Sequence, residues 1–242
     1  MIKKLNKYSY AHRTRSPELG TRIYEDAGYK LPSVTTVLGK TKDTSFLDSW
    51  IKRKGKTEAE RIKNESSTRG TSMHKYLENY VVGKGYEDLT DLGQETKRMA
   101  EKVIEVGLAP VSEYFGSEVT LYYPGLYAGQ TDLVGLHNDR ETIIDFKQAN
   151  RPKREEWIGD YKLQAGAYAM AHDYVHGSNI DQCIIMICTP DLYYQEFRIE
   201  GTILRRAKHD FLRRLNQYYD LMQDEKEKAE VNISREDYFN GA

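Results

Sequence analysis

Two carboxylates and an amine stand close together in the middle of this chain. Asp132 lies within GQTDLVG, and Asp145 and Lys147 lie within TIIDFK. Side chains two apart on a strand point to the same face. If TIIDFK is extended, Asp145 and Lys147 project together. If the segment before it folds back through a turn at Asn138-Asp139, Asp132 comes alongside. Two carboxylates suit a hard divalent cation such as Mg²⁺ or Mn²⁺. Such an ion polarises a phosphodiester and lowers the pKa of a bound water. An ammonium beside it can orient or deprotonate that water and neutralise charge developing on the phosphate. Taken alone, the same residues also read as a salt bridge across a surface hairpin.

The surrounding segments must supply those strands. SEVTLYYP, LYAGQTDLVGLH and ETIIDFK are short and β-rich, with turn signals at Pro124-Gly125 and Asn138-Asp139 between them. They predict an antiparallel meander. A helix follows over about 155–174, and CIIMICTP and YYQEFRI predict two further strands joined at Asp191. Upstream, 21–24 reads as a short extended stretch, and 46–64 as largely helical with Gly55 as an interruption. From about Thr68 a helix with a core-facing stripe begins, formed by Met73, Tyr76, Leu77, Tyr80 and Val81, and Gly83 and Gly85 end it. Another helix is predicted over 94–106. The last element carries Leu204, Ala207, Phe211, Leu215, Tyr218 and Met222 on one helical face. The expected fold is α/β: a central mixed sheet flanked by helices. Residues 1–242 are read as one domain, with a helical N-terminal extension over 1–66, a core over 67–200, and a C-terminal helix and tail over 201–242.

These elements bring further side chains into question. Gln164 and Tyr168 are four apart and share a helical face with Tyr161 and Trp157; a buried glutamine there needs a polar partner. His74 sits beside the helical stripe, on one face with Glu78, as a ligand or as a structural histidine. Glu118 precedes the Asp132 strand, as an acid near the site or as an exposed strand glutamate.

Composition narrows the classes. With a net charge of −1, the chain is not a bulk polyanion binder. Basic clusters do occur: Lys52, Arg53, Lys54, Lys56, Arg61 and Lys63; then Arg151, Lys153 and Arg154; then Arg205, Arg206 and Lys208. Each reads either as a phosphate-binding patch or as a solvated face. The 19 tyrosines against 6 phenylalanines suit base stacking as well as half-buried packing. The two cysteines, Cys183 and Cys188, lie in one apolar run and read as buried free thiols. They cannot make a four-thiolate zinc or iron–sulfur site. No apolar run is long enough to span a bilayer, and the N-terminus lacks the apolar stretch of a secretory signal. A cytoplasmic location is expected.

The order GTSMH, GQTDLVG, IIDFK, YKLQAGAY resembles the RecB-type branch of the PD-(D/E)xK nucleases, which has a helix-borne histidine, an aspartate, a D/E-x-K strand and a Q-x-x-x-Y helix. LPSVTTVL and FLDSWIKRKG resemble the lead-in of these enzymes, so the likeness covers about residues 20–170. Within the branch it is similar to exonucleases of mitochondrial genome maintenance and their phage-encoded relatives. The resemblance implies a restriction-endonuclease-like core whose N-terminal helices cover the active-site edge. It implies Asp132 and Asp145 as metal ligands, helped by the Phe146 carbonyl, with His74 as a further ligand and Lys147 as the catalytic lysine. Gln164 and Tyr168 would support the site or contact the nucleic acid. Mg²⁺ or Mn²⁺ is the implied cofactor. Some relatives carry a four-cysteine iron–sulfur staple, and this chain lacks the cysteines for one. The implied activity is a metal-dependent DNA exonuclease preferring single strands or ends, in replication, recombination or repair, acting in a host cytoplasm if phage-encoded. The alternatives are a structure-specific endonuclease with the same active site, and a non-catalytic DNA-binding component of a replication or recombination complex.

Overall fold

The computed structural model describes residues 2–10, 15–16, 23–26 and 29–240. Its centre is a six-stranded mixed sheet in the order β1-β5-β6-β7-β8-β9. The meander is formed by β5 (Val111–Tyr123), β6 (Tyr127–His137) and β7 (Arg140–Gln148), antiparallel throughout. The β6–β7 turn is at Asn138 and Asp139, both with positive φ; asparagine and aspartate tolerate that conformation. β7 then pairs in parallel with β8 (Gln182–Cys188), and parallel neighbours need a crossover. Helix α5 (Gly159–His176) supplies it. On the outer edges, β9 (Tyr194–Glu200) runs antiparallel to β8, and the short β1 (Lys3–Lys4) runs parallel to β5.

Alternation along the inner strands divides the core into two layers. Val134, Ile143, Cys183, Ile185 and Ile187 face one side, beneath α1 (Val34–Lys40), α5 and α6 (Gly201–Asn240). Leu133, Ile144, Phe146, Ile184, Met186 and Cys188 face the other, beneath α3 (Lys56–Val81) and α4 (Asp91–Lys102). The sheet is covered on both faces, so its inner strands read as apolar runs. Cys183 and Cys188 are five apart, fall on opposite faces and are buried free thiols. A smaller sheet, formed by β2 (Arg15–Ser16), β3 (Ile23–Asp26) and β4 (Tyr29–Pro32), packs on β6 through Tyr24, Leu31 and Ala128. Residues 21 and 22 of the expected 21–24 stretch lie outside the described residues.

Several boundaries depart from expectation. The stretch expected as helix over 46–64 is helical on both sides of Gly55, as α2 (Ser45–Lys54) and the start of α3, but α3 runs unbroken from Lys56 into the helix expected from Thr68. Gly55, at φ 85°, is the break between α2 and α3. The first turns of α3 carry no apolar stripe that would have joined them to the turns after Thr68. Arg61, paired with Glu58 and Glu65 one turn away on either side, supports them instead. The residue 66 boundary therefore falls inside a continuous helix. The helix predicted over 94–106 is α4 followed by a wide π turn, Val103–Gly107. The helix predicted from residue 155 starts at Gly159, after a 3₁₀ turn Glu155–Trp157. Trp157 consequently leaves the α5 stripe and stands 57% exposed.

α5 and α6 meet at a glycine. A Cβ on Gly166 would lie 2.7 Å from the Lys208 amide nitrogen and 2.8 Å from the Ala207 carbonyl carbon. Small residues on α5 (Ala165, Ala167, Ala169 and Ala171) let it lie flat on the sheet, and Tyr127 donates a hydrogen bond to the Ala167 carbonyl at 2.9 Å.

Candidate active site

The last β6–β7 pair toward the open end is Leu133↔Ile144, which places Asp132 beside Asp145 just past the ladder. Asp132 is anchored there by the Phe146 amide, which donates to its Oδ2 at 2.6 Å. The other carboxylate oxygen, Oδ1, lies 3.2 Å from Nδ1 of His74 on α3. Asp145 and Lys147, two apart on β7, are ion-paired. Lys147 Nζ also lies 5.3 Å from the centre of the Tyr161 ring at the start of α5. One turn further on, Gln164 donates to the Tyr168 hydroxyl at 2.9 Å, so the glutamine on the aromatic stripe has its polar partner.

Glu118 completes the group. In β5 it falls between the pairs Ser117↔Leu133 and Val119↔Thr131, across from Asp132. Its φ is 53°, a left-handed conformation that costs a non-glycine residue energy and concentrates at functional sites. Gln130 holds its side chain, donating to Oε2 at 2.6 Å. Donor atoms of His74, Glu118 and Asp132 all lie within 4.8 Å of one another. Asp145 is adjacent to this triad but engaged by Lys147. Phe146 contributes its amide, while its ring is buried on the α3 and α4 side of the sheet.

These side chains line one cleft of about 420 Å³. Its floor is Asp132, Asp145, Lys147 and Glu118; α3 adds Gly70, Thr71, His74, Lys75 and Glu78; α5 adds Gln164 and Tyr168. The remaining wall is Tyr24 of the small sheet with Ser33 and Thr35 at the start of α1. A Cβ on Gly129 would meet the Tyr168 ring at 2.5 Å, so this glycine lets Tyr168 lie against β6.

Electrostatics reflect the crowding of acids. Burial, and then the charge of Asp132, push the Glu118 carboxyl up to about 7. Burial and the neighbouring Asp132 also raise Asp145, against the pull of Lys147. Asp132 goes the other way: burial opposes ionisation, but His74, Lys147 and the Phe146 amide outweigh it and hold the pKa down. For His74 and Lys147, burial disfavours the charged form, and the acids around them overcome it, so both pKa values are raised. The cleft thus concentrates carboxylates around the His74 imidazole and the Lys147 ammonium. An imidazole with two carboxylates is a donor set for a divalent cation, and such an ion would relieve the repulsion between Glu118 and Asp132.

His74, Asp132, Asp145, Lys147, Gln164 and Tyr168 all line this cleft; Phe146 was expected to act through its carbonyl, not its side chain. Glu118 had two open readings, and its place opposite Asp132 puts it in the site. Sequence reasoning passed over Gln130, Ser33 and Thr35, and noted Glu78 only as sharing a helical face with His74. Gln130 left a signal: it is two residues before Asp132 and so shares its strand face. Among the described residues, no helix is long and apolar enough to cross a membrane.

No family model matches the chain, and neither does any curated protein. Solved structures do align with it. One, described as a putative exonuclease from Eubacterium rectale, is 12% identical over 62% of this chain and 68% of its own, with a TM-score of 0.41. LHK-Exo in complex with dAMP is 14% identical over 72% of this chain and 98% of its own, with a TM-score of 0.39. The alkaline exonuclease LHK-Exo from Laribacter hongkongensis aligns at 13% identity, over the same shares, with a TM-score of 0.36. Likenesses this distant do not assign an activity.

Proposed function

We propose that this chain is a metal-dependent DNA nuclease of the PD-(D/E)xK type, acting as an exonuclease on single strands or DNA ends. The observation that carries the reading is the convergence of His74, Glu118 and Asp132 beside the Asp145–Lys147 pair in one cleft. A surface salt bridge would need neither the histidine nor the second acid, and pure binding would not need buried carboxylates.

In this reading His74, Glu118 and Asp132, with Asp145 alongside, hold Mg²⁺ or Mn²⁺. When bound, the ion supplies Lewis acidity toward a phosphodiester and toward a water. Lys147, kept charged by Asp145 and Asp132, orients the attacking water and faces the charge that develops on the phosphate. Tyr161 and the Gln164–Tyr168 pair fix the lysine side of the cleft. The α3 turns from Gly70 to Glu78 cover the opposite side, so a strand passes between helix and sheet edge. That arrangement favours a free end.

Digestion of end-labelled linear single strands, the same strands circularised, and duplex DNA, with Mg²⁺ or Mn²⁺ and with EDTA, tests the reading. Linear single strands should be degraded progressively and circles should resist. Circles cut as fast as linear strands would make the protein an endonuclease. No cleavage of any substrate with either ion would refute the nuclease reading.

A further inference from the structure

Resting on that nuclease reading, we propose that a single strand of the substrate is held outside the cleft, on Trp157 and along the groove between α5 and α6. Trp157 is 57% exposed, and the Arg154 guanidinium lies 5.2 Å from its ring centre. The turn that carries them follows directly on the strand of Lys147 and is rigidly fastened. The Lys153 amide donates to Gln195 at 2.7 Å, Gln195 donates back to the Lys153 carbonyl at 2.9 Å, and the next residue, Ile158, is fully buried. An indole held open to solvent on a fixed turn is a stacking surface with little entropy left to lose.

The turn runs into a groove. Lys162 pairs with Glu155 of the turn at 2.9 Å and also lines a concavity of about 750 Å³ between α5 and α6. Arg206 and Arg213 stand on the α6 side with 83% and 74% of their side chains exposed, and both approach one acid, Asp210, at 3.5 Å. Arg214 is turned inward to Asp160, Thr41 and the Leu38 carbonyl. Cations therefore outnumber acids along the groove, four to two. An aromatic at one end and guanidiniums along the length match unpaired bases followed by phosphates. A duplex offers no free base to the indole.

Binding of a labelled oligothymidylate and a blunt duplex of equal length, in EDTA to prevent cleavage, tests this. Trp157→Ala should weaken oligothymidylate binding about tenfold, from the loss of one stacked base. Trp157→Phe should retain most of the affinity, and duplex binding should change little. With Trp50→Phe removing the other indole, oligothymidylate should quench the remaining fluorescence. Arg206→Gln with Arg213→Gln should shallow the salt dependence of single-strand binding by about 1.4 in log–log slope, at about 0.7 per phosphate contact. Unchanged single-strand affinity in both variants, or equal loss on duplex, would overturn the proposal. If DNA is still cleaved in that case, the nuclease reading stands. If the unaltered chain neither binds nor cuts DNA, the nuclease reading falls first.

Discussion

Each carboxylate of the cleft has a different neighbour, and that decides its charge. Asp132 accepts the Phe146 amide and meets His74, so it stays ionised. Asp145 is neutralised by Lys147. Glu118 is raised to about 7 by burial first and then by the repulsion of Asp132, with Gln130 holding its side chain. Asp132→Asn, Asp145→Asn and Lys147→Ala should each lower hydrolysis about a hundredfold or more, in proteins whose circular dichroism is unchanged. Near-normal rates in both aspartate variants would remove the assigned chemistry. Glu118 also gives a pH dependence. Its folded pKa lies above its unfolded value of about 4.3. The metal-free folded protein therefore keeps a proton that the unfolded chain releases between about 4.3 and 7. That stability is fully present below the unfolded pKa and is lost as pH rises through about 7. Glu118→Gln should flatten the fall in stability over this window in denaturant titrations with EDTA. An unchanged slope would show that another group is responsible.

At the scale of elements, the site depends on how closely helices approach. α5 brings Gln164 and Tyr168 to the cleft while its other side touches the α6 backbone at Gly166. An alanine normally gains about 1 kcal/mol over glycine inside a helix. At Gly166 the added methyl would meet backbone, which cannot move aside as a side chain can. Gly166→Ala should therefore destabilise, by about 1–3 kcal/mol net. Gly70 of α3 has open space where its Cβ would go, so Gly70→Ala should be neutral or stabilising by up to about 1 kcal/mol. Urea unfolding of the two variants checks the opposite signs. Equal effects would mean that helix contact does not set the α5–α6 spacing.

For the whole molecule, a metal held by the triad would link two layers. His74 belongs to α3, packed on one face of the sheet. Asp132 lies on the strand face that carries Val134, under α5. An ion held by both is bound by the folded chain and not by the unfolded one. At about 100 times its Kd such an ion adds about 2.7 kcal/mol. For a chain of this size that is a rise in Tm of about 5–10 °C. Mn²⁺ or Mg²⁺ should give this shift in differential scanning fluorimetry, EDTA should reverse it, and His74→Ala should reduce it. A shift of the same size in Asp132→Asn would place the ion elsewhere.

What this chain determines by itself is what local periodicity encodes. Apolar, β-rich runs in TIIDFK and CIIMIC set the strands, and the two-residue repeat of strand geometry put Asp145 and Lys147 on one face and sent Cys183 and Cys188 to opposite layers. Turn residues at Asn138-Asp139 returned the chain so that Asp132 came beside Asp145. Neighbours in sequence carry that information, because backbone geometry repeats every two residues. The polar first half of α3 read as helical, but no apolar stripe joined it to the second half, since ion pairs rather than burial support it. The triad itself was decided only by the tertiary structure. Glu118, an exposed strand residue as much as an active-site acid when read alone, reaches Asp132 because β5 pairs with β6 in one register and adopts a positive φ there. His74 joins them because α3 packs against the sheet so that one turn meets the strand ends. No spacing along the chain contains that distance; it follows from how a helix and a sheet bury their apolar faces against each other.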